Sequence, residues 1–346
     1  MSAAHLSTDG AAGETSRRRP ARAGAIGGRP LALAVLVAAL AALAAASCLV
    51  GAGELGADGS PDFLGVSRVP RTISLMLAGG AIALSGLIMQ TLSRNRFVEP
   101  STAGTNEAAA LGIVVASIVA PGLPVAARLG FGAAAALAGT AVFLAVLRRA
   151  PLRDPLLVPL IGIMLGGVIG AITTMLALRF DLMQSLASLS SASFAGVLQG
   201  RYELLWLVGA LAVVAYLAAD RFTVAGMGED VATNLGLRTG PVLALGLGIV
   251  SITVAVVVVH VGALPFLGLI VPNAVSMALG DSVRRTAPWV AVSGAALTLA
   301  CDLIGRVIRY PFEVPAGLVM SVLGAAIFLA MLARQGRGRR KGIARA

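Results

Sequence analysis

The sequence predicts an all-α membrane protein with about ten transmembrane helices. Two properties of its composition predict this class. Of the 346 residues, 58% are hydrophobic and 12% are charged, whereas soluble domains carry about 25% charged residues. The 42 glycines suit helices that pack closely in lipid, because small residues let two backbones approach. The composition therefore excludes a water-soluble fold.

Ten apolar runs have about the 20-residue length that a transmembrane helix needs. They occupy residues 31–50, 70–92, 101–120, 125–147, 155–178, 203–219, 241–262, 264–280, 287–305 and 314–333. The first run is longer than the roughly 7–15 residues of a signal-peptide core, so we expect a retained span. The eighth run is short and contains Pro265 and Pro272, so we expect it to be broken or partly re-entrant.

An even number of spans places both termini on one side of the membrane, and the basic residues indicate which side. Of the 27 basic residues, twenty fall in the terminal segments and in the loops after even-numbered spans. The other seven are Arg68, Arg71, Arg128, Arg179, Arg201, Arg306 and Arg309. Because cytoplasmic loops carry the excess of Lys and Arg, both termini are predicted to be cytoplasmic. Topology thus accounts for the net charge of +11 without a nucleic-acid partner.

The chain divides into a transmembrane domain and two tails. Residues 1–29 are rich in Ser, Gly, Ala and Arg and are predicted to form a disordered basic cytoplasmic tail. Residues 30–334 form the transmembrane domain, and residues 335–346 form a second basic cytoplasmic tail. Within the domain, residues 220–240 form a polar cytoplasmic segment.

The sequence predicts no catalytic, cofactor or metal site. A GxGxxG pattern at 51–56 follows a membrane span, whereas a dinucleotide site needs this motif between a strand and a helix, so we interpret it as a flexible loop. The single lysine, Lys341, precedes a glycine, so the chain lacks a P-loop. ATP-driven transport would then need another subunit to hydrolyse the nucleotide. Cys48 and Cys301 have no CxxC or Cys/His neighbours that would indicate a disulfide framework or a metal site.

Ion-coupled transporters place acidic residues near mid-membrane, and this pattern is weak here. The sixteen acids lie at predicted span ends, in loops or in a tail, with Glu107 and Asp302 closest to the lipid core. Glu107 is either a gating or packing residue or a charge at a helix end. His260 ends an apolar run and is more typical of a packed interface residue than of a proton carrier.

The polar segment 220–240 is predicted to contain a short amphipathic helix. Gly228 can begin it and Gly236 can end it. Glu229 and Asp230 would lie in its first turn, where negative charge is favourable to the helix dipole. Two apolar residues three positions apart are expected to share one face; they are Ala232 and Leu235. Such a helix suits a groove on a partner or the protein's own surface.

Four blocks of residues carry a resemblance to a known transporter family. In order, they are Arg68-Val69-Pro70-Arg71 through Gln90 to Glu99-Pro100-Ser101; Gly228-Glu229 with Leu235-Gly236; Phe266 through Pro272-Asn273; and Asp302 and Arg306 with Glu313-Val314-Pro315-Ala316-Gly317. They cover about residues 65–335. On these blocks the chain resembles the FecCD-type permeases of bacterial ABC importers, which carry iron-siderophores, haem or vitamin B12. The resemblance implies the ten-span fold of the vitamin B12 importer permease and a location in the bacterial cytoplasmic membrane.

The resemblance also implies partners and site residues. Three arginines would pair with acidic residues of a substrate-binding protein: Arg68, Arg71 and Arg306. The segment 226–238 would sit in a groove of an ABC ATPase through Gly228, Glu229, Asp230, Ala232, Leu235 and Gly236. The candidate pathway or gate residues are Gln90, Glu107, Pro272 and Asn273. A second permease, identical or paralogous, would complete the pathway, and Mg-ATP would bind to a pair of ATPase subunits rather than to this chain.

Two segments resemble the branch of the family that handles catecholate-type siderophores: 273–277 with 280–281, and 101–105. Vitamin B12 and haem are the alternative substrates within this family. An ion-coupled secondary transporter is an alternative from another class. A membrane-embedded enzyme is disfavoured because the sequence contains neither HExxH nor GxSxG.

Overall fold

The computed structural model describes residues 29–50, 64–149, 157–200, 202–309 and 312–343, and every regular element within them is helical. A π-helical turn, Leu64–Arg68, precedes α2. The α-helices are α1 (Arg29–Leu49), α2 (Val69–Ser93), α3 (Thr105–Val119), α4 (Val125–Arg149), α5 (Leu157–Arg179), α6 (Met183–Ser190), α7 (Leu205–Leu217), α8 (Ala219–Gly226), α9 (Glu229–Asn234), α10 (Thr239–Val261), α11 (Leu267–Leu279), α12 (Val283–Ile308) and α13 (Ala316–Ile343).

Most of these helices are apolar enough to cross a membrane. Six are also long enough to do so alone: α1, α2, α4, α5, α10 and α12. The pair α7 and α8 passes the same criterion when taken together, with a bend of 60° between its two parts. Three further helices are apolar but shorter, namely α3, α11 and the apolar part of α13. The described chain is therefore a multi-pass, all-helical membrane protein, as the composition predicted.

Helix α2 lies at the centre of the described fold, in contact with α1, α7, α8, α10, α11 and α12. Its approach to α11 is so close that a Cβ atom on Gly86 would lie 2.0 Å from the carbonyl oxygen of Gly268. A side chain at position 86 would therefore force the two helices apart. Helix α2 carries Arg71 near its beginning and Gln90 near its end. It therefore connects the polar groups that surround these two residues.

A second group of helices is built on α3, which packs against α4, α5 and α10. Helix α5 turns glycines toward the start of α3: a Cβ atom on Gly162 would lie 1.9 Å from the carbonyl oxygen of Thr102. Gly162 and Gly166 of α5 are both buried. The residues that follow Gly162 include Ile163, Met164 and Val168, which are 59%, 66% and 60% exposed. Helix α5 thus turns these two glycines toward the chain and leaves an apolar face uncovered.

Two predicted runs need correction at their ends. The run predicted at 101–120 becomes helical at Thr105, because Gly104 takes the left-handed conformation with φ of 77°. The run predicted at 203–219 ends at Leu217, and the chain then bends into α8. The sequence predicts that the eighth run is broken or partly re-entrant. It is not broken at Pro272, since α11 is continuous there, but Pro265 lies in the non-helical stretch that precedes α11. A re-entrant course stays a prediction.

Several predictions concern residues outside the described ranges. They include the tail at 1–28, the GxGxxG pattern at 51–56 and Arg201. At the other end, α13 continues to Ile343. The backbone is therefore helical through most of the segment predicted as a second tail.

Candidate functional site

The polar groups of α2 and α11 meet where Pro272 interrupts the hydrogen-bond ladder of α11. Proline has no backbone N–H, so the carbonyl group four residues earlier, that of Gly268, loses its helical donor. The buried Gln90 side chain replaces it: Nε2 donates to the oxygen of Gly268 at 3.0 Å and to that of Leu269 at 3.4 Å. This contact explains why α11 stays continuous where the sequence predicted a break, because a neighbouring helix satisfies the freed carbonyl.

A carboxylate closes the beginning of the same helix. Glu99 lies in the connection between α2 and α3 and is 1% exposed. It accepts hydrogen bonds from the Phe266 N–H at 3.1 Å and the Ser101 hydroxyl at 2.5 Å, and the backbone of Gly268 and Leu269 also favours its ionised form. A helix leaves such N–H groups unpaired in its first turn. Burial raises the pKa of Glu99 to about 7, against these hydrogen bonds, which lower it.

The same connection also holds the rest of α11. The Asn273 Nδ2 donates to the carbonyl oxygens of Arg96 and Leu269, both at 2.7 Å. Beyond the end of α11, Asp281 accepts from the guanidinium of Arg96 at 2.8 Å. The structure therefore brings together three of the four candidate pathway residues: Gln90, Pro272 and Asn273. We call this set, with Glu99, the α2–α11 junction.

Glu107 lies apart from that junction, in the first turn of α3 facing α5. Its Oε2 atom is buried and has no hydrogen-bond partner among the described residues. A Cβ atom on Gly166 of α5 would lie 3.4 Å from this oxygen. The interpretation of Glu107 as a helix-end charge is supported by its place in a first helical turn. The interpretation as a gating or packing residue is supported by its unpaired carboxylate between two spans.

The short helix predicted in the segment 220–240 is confirmed, as α9. Gly228 precedes it with φ of 123°, a backbone conformation that favours glycine. At its end the Leu237 N–H bonds to the oxygen of Ala232 and the Gly236 N–H to that of Thr233, both at 2.9 Å. Gly236 has φ of 78°. These two bonds define the Schellman ending that a glycine permits.

The two apolar residues expected to share a face of α9 lie in different environments. Ala232 is fully buried, whereas Leu235 is 64% exposed, because α9 ends at Asn234 and Leu235 is already its C-cap. The exposed apolar side chains are Met227, Val231 and Leu235, which are 58%, 44% and 64% exposed and follow one another at four-residue intervals. Glu229 and Asp230 are exposed beside them. We call these three apolar residues the α9 stripe.

The α9 segment is attached to the ends of two long helices. Its predecessor α8 packs so closely on α2 that a Cβ atom on Gly226 would lie 2.7 Å from Thr91 Cγ2. Thr223 of α8 accepts the backbone N–H of Val283, at the start of α12, at 3.1 Å. A displacement of the α9 stripe would therefore reach α2 and α12 through packed and hydrogen-bonded contacts.

The opposite ends of α2 and α12 carry a buried charge cluster. Asp302, 2% exposed, accepts from Arg71 Nη2 at 2.7 Å and from Arg306 Nη2 at 2.5 Å. Arg71 also bonds Glu313 at 2.9 Å. Two arginines and two carboxylates thus balance one another in charge, as buried ions must. We call these four residues the outer charge cluster, after the face on which the sequence predicts them: Arg71, Asp302, Arg306 and Glu313.

Two arginines also cap the end of α1, whose last four carbonyls have no helical donor. Arg306 Nη1 donates to the carbonyl oxygens of Ser47 and Val50, at 2.9 and 2.8 Å. Arg68 Nη1 donates to those of Cys48 and Leu49, at 3.0 and 3.3 Å. The arginines expected at the outer face therefore hold α1 in place, and Arg68 and Arg306 are 8% and 5% exposed.

Sequence reasoning missed the partners of these arginines and the role of Glu99. Asp302 and Glu313 belong to the fourth block of family residues. Their contacts with Arg71 join positions 231 and 242 residues apart in the chain. Glu99 belongs to the first block of family residues, but nothing in the sequence indicated its contact with the start of α11, 167 residues away. Within the described residues, no group of three or more His, Cys, Asp or Glu side chains could hold a metal ion.

Fold and site together define a membrane transport permease. The sequence profile of the FecCD transport family matches residues 31–334. The chain is 41% identical over 313 residues to the petrobactin import permease of Bacillus anthracis, covering 90% of this chain and 93% of that protein. It is 40% identical over 304 residues to the ferric-anguibactin permease of Vibrio anguillarum, covering 86% and 97%. It is also 31% identical over 322 residues to the vitamin B12 import permease of Salmonella paratyphi A, covering 89% and 94%.

The fold agrees with these sequence matches. A chain from a metal-chelate-type ABC transporter in an inward-facing conformation superposes with a TM-score of 0.75 at 22% identity, over 88% of this chain and 99% of that one. The present chain belongs to the FecCD transport family and is a multi-pass integral protein of the bacterial cytoplasmic membrane.

Proposed function

We propose that this chain is the permease subunit of an ATP-driven importer for ferric siderophores. The observation that carries the proposal is the identity of 40–41%, over most of both chains, to permeases for petrobactin and ferric-anguibactin. The vitamin B12 permease is more distant, at 31%. The segments 273–277 and 101–105 support the catecholate branch of the family. Vitamin B12 or haem is the alternative substrate class.

The proposed topology has ten spans with both termini in the cytoplasm. The six long helices, the bent pair and the three shorter apolar helices correspond one for one to the ten apolar runs of the sequence. The excess of basic residues in the terminal segments and in alternate loops supports this orientation. It puts α9 and the Arg96–Asp281 pair at the cytoplasmic face and the outer charge cluster at the other.

The α9 stripe is the proposed contact with a pair of ABC ATPase subunits, which would bind and hydrolyse Mg-ATP. Exposed apolar residues at four-residue intervals, beside exposed carboxylates, fit a groove on a partner. Closure of the ATPase pair would move α8 and α9, and with them the ends of α2 and α12. Rigid helices that switch between two packed arrangements give an outward-open and an inward-open state.

The outer charge cluster is the proposed docking region for a substrate-binding protein. Arg71 is the more exposed of the two arginines in this cluster, with 12% of its side chain exposed. It pairs with Glu313, whose side chain is 31% exposed. A carboxylate on the partner could replace Glu313 on Arg71. Arg68 and Arg306 would act beside it while keeping α1 capped. Rim charges of this kind chiefly set the association rate and register.

The docking proposal predicts opposite effects of two neutralising substitutions. Arg71→Gln should weaken association with the binding protein, and more so at low salt, because screening is then weakest. Glu313→Gln leaves Arg71 charged and frees it, so association should stay the same or strengthen. Equal weakening by both substitutions would mean that the pair serves structure rather than docking. Association rates measured at two salt concentrations separate these outcomes.

The pathway is proposed to lie between this chain and a second permease, identical or paralogous. The uncovered apolar face of α5 is available for that contact, and Glu107 lies directly behind it. The α2–α11 junction would act as a gate element, because Gln90, Pro272 and Asn273 join two helices by side-chain bonds that can break and reform. The pathway then depends on residues of both subunits.

Uptake by cells tests the substrate directly. Accumulation of radiolabelled iron is measured with catecholate, hydroxamate and mixed siderophores and with haem, in a strain that lacks this chain. Vitamin B12 is followed with a radiolabel on its cobalt. Loss of uptake for one siderophore class, restored by the wild-type gene, is the expected result. Unchanged uptake of all the siderophores would remove the substrate assignment. Transport by the purified chain alone under a proton or sodium gradient would instead support a secondary transporter.

A further inference from the structure

A polar cavity lies among the ends of α3, α4, α6, α7 and α10, and none of the proposed transport roles uses it. Its volume is about 690 Å³, within the range of roughly 300–1,000 Å³ that is typical of ligand sites. Its polar lining residues include Arg128, Ser185, Ser188, Tyr202, Glu203 and His260. The proposed topology places this cavity at the outer face of the membrane.

One wall of the cavity carries a guanidinium with unmet hydrogen-bonding capacity. Arg128 Nη2 donates to the carbonyl oxygen of Pro121 at 2.6 Å. Its Nε atom is sealed from solvent and has no hydrogen-bond partner among the described residues. The terminal N–H groups of Arg128 that the Pro121 carbonyl leaves free can donate to a phosphate through charge-assisted hydrogen bonds.

Two further polar groups of the cavity can accept hydrogen bonds, those of Glu203 and His260. Glu203 Oε1 accepts the Gly200 N–H at 2.7 Å, and the carboxylate is exposed. His260 Nδ1 lies 2.8 Å from the carbonyl oxygen of Val256. Because a carbonyl can only accept, Nδ1 carries the proton, and in the neutral ring Nε2 is an acceptor. The cavity therefore pairs one cation with an anion and a ring acceptor, which favours a ligand that carries both signs of charge.

Exposed apolar side chains border the cavity. Helices α4 and α7 both pack on α10, and the cavity is lined by the beginnings of α4 and α7 with the end of α10 behind them. The neighbouring side chains on α4 and α7 include Phe131, Trp206 and Leu207, which are 46%, 53% and 44% exposed. An exposed tryptophan beside apolar neighbours is typical of the membrane–water interface. Acyl chains lying against these residues would place a headgroup in the cavity.

We propose that this cavity binds a phosphate that bears a primary amine, as in the ethanolamine headgroup of a phospholipid. Arg128 binds the phosphate, and Glu203 with the His260 ring binds the ammonium group. The apolar lining, which includes Ile113, Val125 and Leu204, contacts the glycerol and the first acyl carbons. The same headgroup chemistry exists in free phosphoethanolamine, so the experiment separates the two sources.

Binding is measured on the full-length purified chain by native mass spectrometry after delipidation. The probes are phosphatidylethanolamine, phosphatidylcholine, phosphatidylglycerol and free O-phosphoethanolamine. We expect phosphatidylethanolamine to bind best, because the methyl groups of choline remove its N–H donors and glycerol carries no cation. Arg128→Gln should weaken this binding about tenfold, the loss of one charge-assisted contact. Glu203→Gln should remove the preference for ethanolamine over choline.

Two controls keep the outcomes distinct. Arg309→Gln changes an exposed arginine outside the cavity lining and should bind all four probes like the wild type. Arg128→Lys retains the charge without the planar fork and should bind at an intermediate level. Tight binding of free O-phosphoethanolamine would assign the site to a soluble ligand of the same chemistry. Equal binding of phosphatidylethanolamine by Arg128→Gln and by the wild type, or no preference among the lipids, would overturn the proposal.

Discussion

The two ends of α2 solve the problem of polar groups in a membrane protein differently. At its first end, the proposed outer end, full charges are buried and neutralise one another around Asp302. At its last end, the proposed cytoplasmic end, an uncharged amide, that of Gln90, replaces a missing backbone donor, and the nearby α9 stripe leaves apolar side chains exposed. Buried ion pairs favour a fixed arrangement at the first end, because breaking one is costly. Neutral hydrogen bonds and exposed apolar residues would allow the other end to move and to bind, as the proposed transport cycle requires.

The largest effect is expected at the outer charge cluster. Asp302→Ala would leave Arg306 as an uncompensated buried charge and would remove one of the two partners of Arg71, so it should destabilise the protein by about 3–5 kcal/mol. Thermal unfolding in detergent measures the loss. The matched control is Asp281→Ala, which breaks a pair whose side chains are 52% and 70% exposed and should cost at most about 1 kcal/mol. Similar losses in both variants would remove the contrast between the two ends.

The next effect concerns pH and the start of α11. The folded-state pKa of Glu99, about 7, lies above its ordinary value of 4.5, so folding favours the protonated form. Its contribution to stability is complete below pH 4.5 and is lost as the pH rises through 7, by up to about 3 kcal/mol. Glu99→Gln should flatten this dependence between pH 5 and 8. A wild-type stability that rises over this range would show that the ionised form is the one stabilised.

A smaller effect is expected at the proline of α11. Gln90→Leu should cost about 1–3 kcal/mol, because it leaves the carbonyl of Gly268 unpaired. Pro272→Ala restores a backbone N–H for that carbonyl, so the double substitution should recover part of the loss. Gln184→Leu, at an exposed position, is the control and should change stability little. If Gln90→Leu costs the same with and without the proline, the two residues are not coupled.

The sequence was sufficient to predict the fold class, the number of apolar runs and the short helix α9. Hydropathy and glycine placement are local properties, and they depend little on distant residues. What could not be predicted depends on pairing in space. The role of Gln90 follows from its distance to Gly268, 178 residues away, and the burial of Arg306 follows from carbonyl groups at the end of α1. The exposure of Leu235 could not be inferred from spacing, because α9 ends one residue earlier.

The most direct test concerns the α9 stripe, since the proposed ATP-driven transport requires that an ATPase engage it. Val231→Glu and Leu235→Glu place charge in the proposed apolar contact, and Thr233→Glu, exposed on the same helix, is the matched control. The measurement is co-purification of the ATPase subunit with each full-length variant, together with iron uptake. The account predicts that both stripe variants lose the ATPase and uptake, whereas Thr233→Glu keeps both. Retention of the ATPase and of uptake by Val231→Glu and Leu235→Glu would contradict it.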